Sequence, residues 1–117
     1  HVYFDHYQSD DPTEPLAIGG YTPLNKVYAF DPVPAELTQE QARHVLGTQG
    51  TLWSEYIRTT NHLEYMAFPR LIALAEVAWS TPERRDFAEF CQRLAKHEAR
   101  LTRLNVTFRP VANSIRH

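Results

Sequence analysis

The spacing of apolar and polar positions predicts two short strands, one long loop and several helices. The strands are expected at the start of the chain, around Tyr3 to Asp5, and over 48–53, where β-forming residues surround Gly50. A glycine in a strand indicates a place where backbone or ligand approaches closely. The segment 9–34 holds five of the eight prolines and a Gly-Gly pair, which favours an irregular connection with little regular structure.

Capping patterns mark where the helices begin. Thr38, followed three residues later by Gln41, is typical of a capping box. The helix after it is expected to run over 39–46 and to end at Gly47, because glycine is common just beyond a helix.

A second helical segment is predicted from Asn61, where Glu64 completes another N-cap pattern. Pro69 lacks a backbone donor, so it should kink this helix or restart it as the first helical residue. Beyond it, the segment 71–79 is apolar nearly all round except at Glu76, which favours burial on more than one side.

The last helix is predicted after Asp86, which forms a cap with Glu89. Its apolar positions form one stripe and its Lys and Arg residues the other face, which is typical of an amphipathic outer helix. The stripe comprises Phe87, Phe90, Cys91, Leu94, Leu101 and Leu104.

Three side chains in these helices are interpreted as structural. Glu76 needs a partner in its apolar surroundings, and Arg70 or another arginine is expected to supply it. Trp79 is expected in the core. Cys91 is expected to be a buried, inert thiol, and as the single cysteine it excludes an internal disulfide.

The order strand, loop, helix, strand, helix, helix predicts an α/β fold with parallel strands. Two strands cannot complete a sheet, so the chain is expected to be one partial domain, 1–117, forming a quarter of a larger barrel. The abrupt start without a methionine is also what a fragment would show.

Two aromatic and acidic pairs suggest a sugar pocket. Tyr3 with Asp5, and Trp53 with Glu55, are each two residues apart, so in an extended segment both members project to one face. An aromatic wall suits the apolar C–H face of a pyranose, and carboxylates accept charge-assisted hydrogen bonds from its hydroxyls. His6 follows the first pair and is a candidate for a supporting position.

Composition argues against several other functions. A net charge of −2 offers no field to hold a polyanion, so nucleic acid is not an expected partner. No apolar run approaches the roughly twenty residues that span a bilayer. The histidines show no paired ligand spacing, so no metal site is expected.

Several segments together resemble the C-terminal part of a glycoside hydrolase family 20 β-N-acetylhexosaminidase, in order and spacing, from about Tyr3 to Val106. The matching segments are Tyr3-Phe4-Asp5-His6-Tyr7-Gln8, Gly47-Thr48-Gln49-Gly50-Thr51-Leu52-Trp53-Ser54-Glu55, Phe68-Pro69-Arg70-Leu71 and Ala75-Glu76-Val77-Ala78-Trp79-Ser80. The resemblance implies a (β/α)₈ TIM barrel, of which this chain would be about the last two βα units plus the closing helices, helix-rich as an isolated chain.

The resemblance also implies hydrolysis of terminal β-linked N-acetylglucosamine or N-acetylgalactosamine, with the substrate's acetamido oxygen as nucleophile. Tyr3 would orient that acetamido group, Asp5 and Glu55 would accept from sugar hydroxyls, and Trp53 would line the pocket. No cofactor is implied. The residues themselves do not indicate a cellular location, and only the family resemblance implies an exported, periplasmic or lysosomal enzyme.

One departure from the family is important. Its catalytic Asp-Glu pair belongs to an earlier strand and is absent here, and Asp10-Asp11 lacks the family's surrounding residues. The isolated chain is therefore expected to be inactive, and its exposed apolar surface is expected to drive self-association. Two alternatives stay open. One is a non-catalytic helical module that acts by self-association or partner binding, and the other is an unrelated (β/α)₈ glycosidase that uses Glu55 as acid or nucleophile.

Overall fold

Two short parallel strands pair side by side among the helices of this protein. The computed structural model describes residues 2–115, so the first and the last two residues of the predicted domain 1–117 lie outside it. Strand β1 (Val2–Tyr3) pairs with β2 (Gly50–Thr51), with Val2 opposite Gly50. Because the strands are parallel, their carboxyl ends lie at the same edge, as the predicted order of elements required.

Six helices accompany the strands in the described part of the chain. They are α1 (Leu24–Tyr28), α2 (Gln39–Ala42), α3 (Thr60–Ala67), α4 (Arg70–Trp79), α5 (Phe87–Arg103) and α6 (Val111–Ile115), with a 3₁₀ turn at Pro82–Arg84. None of these helices is both long enough and apolar enough to cross a bilayer.

A hydrophobic cluster among the described residues joins β1 to α1, α4, α5 and α6. Its buried residues are Val2, Phe4, Leu24, Val27, Tyr28, Ala73, Leu74, Val77, Phe90, Cys91, Leu94 and Val111. Removing this apolar surface from water is the main force that holds the segments together. The predicted burial of the Cys91 thiol is confirmed, and burial raises the pKa of this thiol.

The expectation that 9–34 has little regular structure needs one correction, because it contains α1. Leu24, Val27 and Tyr28 recur at intervals of three and one residues, and all three are buried. Helix α1 packs against α4, and this packing stabilises a five-residue helix that would be marginal alone. The sequence analysis missed this helix because the many prolines of the segment favoured an irregular connection.

The capping box at Thr38 is confirmed, but its helix is shorter than expected. Thr38 Oγ1 accepts from the Gln41 N–H at 3.2 Å, and Gln41 Oε1 accepts from the Thr38 N–H at 2.9 Å. Helix α2 nevertheless ends at Ala42 instead of Leu46. None of its residues is buried, and Leu46 is 96% exposed, so no packing supports further turns.

The break at Pro69 is confirmed, with small shifts in position. Helix α3 begins at Thr60, and the Thr59 hydroxyl, not Asn61, caps it by accepting from the His62 N–H. Pro69 lies one residue before the first residue of α4, at its N-cap, and its peptide bond to the preceding residue is cis.

Helix α4 buries one face only, which contradicts two expectations. Its buried residues are Arg70, Ala73, Leu74 and Val77, which recur at helical spacing. Trp79 is 93% exposed and Leu71 is 42% exposed, so Trp79 is not a core residue and the helix is not buried on several sides within this chain. Both residues lie off the helix face that these four buried residues form.

The predicted stripe of α5 is largely confirmed. Asp86 Oδ1 accepts from the Glu89 N–H at 3.0 Å, and four of the six stripe residues are buried. Leu104 is 66% exposed, because the helix ends at Arg103 and the chain turns there.

The expected partner of Glu76 is an arginine of α5. Arg93 binds both carboxylate oxygens of Glu76, at 2.6 and 2.7 Å. The Tyr28 hydroxyl also donates to Glu76, at 3.0 Å. Arg70 is therefore not the partner, and these bonds connect α1, α4 and α5 around one carboxylate.

Candidate functional site

The four residues that the sequence pairs singled out line one cavity of about 460 Å³. We call it the strand-end pocket, because β1 and β2 both run toward it. Its lining consists of Tyr3, Asp5, His6, Ile18, Gly19, Gly20, Trp53 and Glu55. The structure thus brings together two pairs that are some fifty residues apart in the sequence.

Asp5 is the buried acid of the strand-end pocket. Its side chain belongs to a residue that is only 6% exposed, and Oδ1 has no hydrogen-bond partner in the described part of the chain. A buried carboxylate oxygen without a donor is unfavourable, and Asp5 is also a lining residue of the pocket.

Arg70 holds the backbone on both sides of that carboxylate. Its guanidinium is fully buried and donates to the carbonyls of Phe4, His6, Thr22 and Met66. Burial lowers its pKa to about 9, which leaves the group cationic at neutral pH. The structural role expected for Arg70 is consistent with these contacts, because four carbonyls from three separate segments converge on one side chain.

Trp53 and Glu55 form the solvent-facing side of the strand-end pocket. Trp53 is 58% exposed and Glu55 is also exposed, in contrast to the buried Asp5. Both residues follow β2, and Leu52, which lies between β2 and Trp53, packs against the core. The pocket therefore combines a buried acceptor, an exposed acceptor and an aromatic surface.

Gly50 lets β2 approach β1 closely. A Cβ atom at Gly50 would lie well within 3.0 Å of the Phe4 ring, a distance that real Cβ atoms essentially never show. The sequence indicated a close approach of backbone or ligand here, and the structure identifies the backbone of Gly50 and the ring of Phe4 as the pair.

The loop residues Ile18 to Gly20 are the part of the pocket lining that sequence reasoning missed. Gly19 and Gly20 both have positive φ, at 127° and 69°, which only glycine adopts readily. The Gly-Gly pair was the available signal, but nothing in the sequence indicated which strand end this loop would cover.

Asp10 and Asp11 lie in a different cavity, of about 500 Å³. That cavity shares only Gly20 with the strand-end pocket. Asp11 Oδ1 accepts from the backbone N–H and the hydroxyl of Thr13, which is a local turn contact. The acidic pair therefore does not join the four predicted residues.

A buried ion pair borders this second cavity. Arg109 Nε lies 2.7 Å from Glu14 Oε1, and both side chains are more than 90% buried. Ser9 Oγ and the Tyr65 hydroxyl also donate to Glu14, at 2.8 and 3.0 Å. Burial and the Glu14 charge raise the pKa of Tyr65 to about 12. The cluster is fully paired, which is the arrangement of a structural network.

The strand-end pocket thus places aromatic side chains and two carboxylates beside the carboxyl ends of two parallel strands. Residues 1–82 match the catalytic domain of glycosyl hydrolase family 20. The chain belongs to this family. The resemblance in the sequence motifs is thereby confirmed.

Relatives in the family are much longer than this chain. A β-hexosaminidase of Porphyromonas gingivalis is 52% identical over 93 residues, which are 80% of this chain and 12% of that protein. The human β-hexosaminidase subunit beta is 31% identical over 86 residues, or 74% of this chain and 15% of that protein. The chain thus spans about one eighth of the relatives' length.

Solved structures agree with this assignment. The family 20 β-N-acetylhexosaminidase from Streptomyces coelicolor superposes with a TM-score of 0.76 at 30% identity, over 92% of this chain and 22% of that one. An exo-β-N-acetylglucosaminidase from Vibrio harveyi, solved with N-acetylglucosamine, gives 0.74 at 31% identity, over 93% and 17%. The likeness therefore extends beyond residue 82 into the C-terminal helices.

Proposed function

We propose that this chain forms one side of the sugar pocket of a β-N-acetylhexosaminidase that releases terminal β-linked N-acetylglucosamine or N-acetylgalactosamine. The observation that carries the proposal is that Asp5, whose buried Oδ1 lacks a donor among the described residues, lines the same cavity as Tyr3, Trp53 and Glu55. A sugar hydroxyl would supply that donor.

In this proposal, the chain is the last part of a (β/α)₈ barrel. The parallel pairing of β1 and β2, with helices following β2, supports this position. Enzymes of this architecture carry their active sites at the carboxyl ends of the strands, which is where the strand-end pocket lies. The exposed face of α4, including Trp79, would pack against neighbouring barrel elements.

The four pocket residues have three roles in the proposed reaction. The acetamido oxygen of the substrate attacks the anomeric carbon, and Tyr3 holds the acetamido group in the attacking orientation. Asp5 and Glu55 accept hydrogen bonds from sugar hydroxyls. Trp53 covers an apolar face of the sugar, which removes it from water.

The general acid and the residue that positions the acetamido nitrogen would come from outside these 117 residues. Asp5 and Glu55 are the carboxylates among the described residues that line the strand-end pocket, and both are assigned to sugar hydroxyls, so neither is left for these two roles. The chain alone is then inactive, because protonation of the leaving group has no donor.

A chimera tests the proposal directly. The matched segment of this chain replaces the corresponding 93 residues of the Porphyromonas gingivalis β-hexosaminidase. Hydrolysis of a chromogenic N-acetyl-β-glucosaminide is measured for the chimera, for the 117-residue chain alone and for variants of the chimera. We expect an active chimera, an inactive chain, and a kcat loss of roughly 10- to 100-fold for Tyr3→Phe.

Glu40→Gln is the matched control, because Glu40 is an exposed carboxylate on α2, away from the pocket lining. Turnover by the 117-residue chain itself would contradict the absence of the acid and would direct attention to Asp10, Asp11 and Glu55. An active chimera in which Tyr3→Phe and Asp5→Asn behave like Glu40→Gln would refute the assigned pocket.

A second candidate function rests on a different observation. Several large apolar side chains are strongly exposed, namely Leu16, Leu46, Trp79, Leu104 and Ile115. In the alternative, these residues mediate self-association of a non-catalytic helical module. Light scattering over a range of concentrations tests it: a monomer at all concentrations excludes self-association, whereas a defined oligomer without activity in the chimera favours the module.

A further inference from the structure

The rings of Tyr3 and His6 stack at the strand-end pocket. Their centroids are 5.1 Å apart and their planes differ by 17°. Residues three apart do not share a face of a straight strand, but β1 ends at Tyr3 and the chain turns over Phe4 and Asp5. The turn places the imidazole against one face of the phenol, and both rings line the pocket.

His6 is held in this position from two sides. Its Nδ1 is joined to Thr22 Oγ1 by a hydrogen bond of 3.0 Å. The backbone of Gly20 lies against the imidazole, since a Cβ atom there would be 2.5 Å from the ring. Gly20 also has φ of 69°, so a side chain at this position would be disfavoured by both conformation and space.

Thr22 is itself anchored in the core. Thr22 is 5% exposed, its N–H donates to the Tyr7 carbonyl at 2.9 Å, and its carbonyl accepts from Arg70 Nη1 at 3.0 Å. Arg70 also donates to the His6 carbonyl. His6 is therefore connected to the buried guanidinium of Arg70 in two ways, through its backbone carbonyl and through Thr22.

We propose that His6 is a positioning residue for Tyr3. Gly20 and Thr22 form a clamp that holds the imidazole of His6, and the imidazole in turn fixes the ring of Tyr3. This inference rests on the proposed function, because the orientation of Tyr3 has a consequence only if Tyr3 orients the substrate's acetamido group. The clamp makes the loop that precedes α1 a part of the site. Its effect is to reduce the rotational freedom of Tyr3 before the substrate binds.

Kinetics of the chimera test the clamp. His6→Ala removes the stacked ring and is expected to lower kcat by roughly 10- to 100-fold with a smaller change in KM. His6→Phe keeps a flat ring and is expected to recover most of the loss. In the Tyr3→Phe background, His6→Ala should cost much less, because two residues that act through one another are not additive.

The outcomes separate this inference from the proposed function. If Tyr3→Phe has no effect in an active chimera, the role of Tyr3 in the proposed function fails. If Tyr3→Phe slows hydrolysis but His6→Ala does not, or if the two effects are fully additive, the clamp alone is refuted.

A measurement that needs no activity completes the test. Nuclear Overhauser effects between the ring protons of Tyr3 and His6 are recorded in the 117-residue chain and in its Thr22→Val variant. Valine has the shape of threonine but no hydroxyl, so we expect these effects to weaken while those within α5 persist. Equal ring contacts in the chain, in Thr22→Val and in Gly20→Ala would overturn the proposal.

Discussion

Arg109 Nε lies 2.7 Å from Glu14 Oε1, so a buried ion pair joins two residues that are 95 positions apart. Arg109 also donates to Ser114 Oγ, while its backbone N–H donates to the Phe68 carbonyl. The pair therefore ties the C-terminal segment, which lies beyond the family match at residue 82, to the loop that leads toward the strand-end pocket.

Breaking this ion pair should be strongly destabilising. Arg109→Met leaves the Glu14 carboxylate buried without its cation, and we expect the free energy of unfolding in urea to fall by about 3–5 kcal/mol. The double variant Arg109→Met with Glu14→Leu should be less destabilised than the sum of the single variants. Arg100→Met, on the exposed face of α5, is the control, and a loss no larger than this control's would contradict the prediction.

Gly50 and Gly47 should respond differently to the same substitution. Gly50→Ala places a Cβ atom against the Phe4 ring, so we expect destabilisation by about 1–3 kcal/mol as β1 and β2 separate. Gly47→Ala meets no atom within 4 Å and has no positive φ, so it is the matched control. Thermal unfolding of both variants checks the prediction, and equal midpoints would show that the strands tolerate the methyl group.

The Glu76 carboxylate should make stability depend on pH in the acid range. The hydrogen bonds from Arg93 lower the pKa of Glu76 below its ordinary value of 4.5. The folded state therefore binds this proton less readily than the unfolded state, so the contribution is complete above pH 4.5 and is lost as the pH falls through the folded pKa. Glu76→Gln should remove this contribution.

Urea unfolding at several pH values checks this dependence. At pH 7, Glu76→Gln should be less stable than the parent by about 1 kcal/mol, because Arg93 is half exposed and solvent weakens the pair. The two proteins should converge as the pH approaches 2. A difference that stays constant from pH 7 to pH 2 would show that the carboxylate charge does not contribute.

The two acids of the strand-end pocket should differ in their effect on sugar binding. Asp5 is buried, and its Oδ1 has no hydrogen-bond partner among the described residues. Glu55 is exposed, so water can replace a sugar hydroxyl there with little loss of free energy. In the chimera, Asp5→Asn should raise the inhibition constant of N-acetylglucosamine by a factor at least ten times larger than Glu55→Gln does. Equal losses, or a larger loss for Glu55→Gln, would place the main acceptor on the exposed side.

Features that depend on neighbours along the chain were predictable. The capping box at Thr38 and the break at Pro69 involve atoms within four residues, so the residue types alone determine them. The premise that an extended strand aligns each strand-end pair was wrong, because only Tyr3 lies in a strand, whereas Asp5 and Glu55 lie in turns and Trp53 lies beyond the end of β2. The need of Glu76 for a cation follows equally from its apolar surroundings.

Features that depend on which segments meet were decided by the tertiary structure. The sequence by itself determined that an arginine pairs with Glu76, whereas packing of α5 on α4 selected Arg93 and left Arg70 to bind carbonyls. Packing likewise formed α1 within the proline-rich segment and left Trp79 exposed. The physical reason is that burial is a property of the assembled surface, which local residue preferences do not specify.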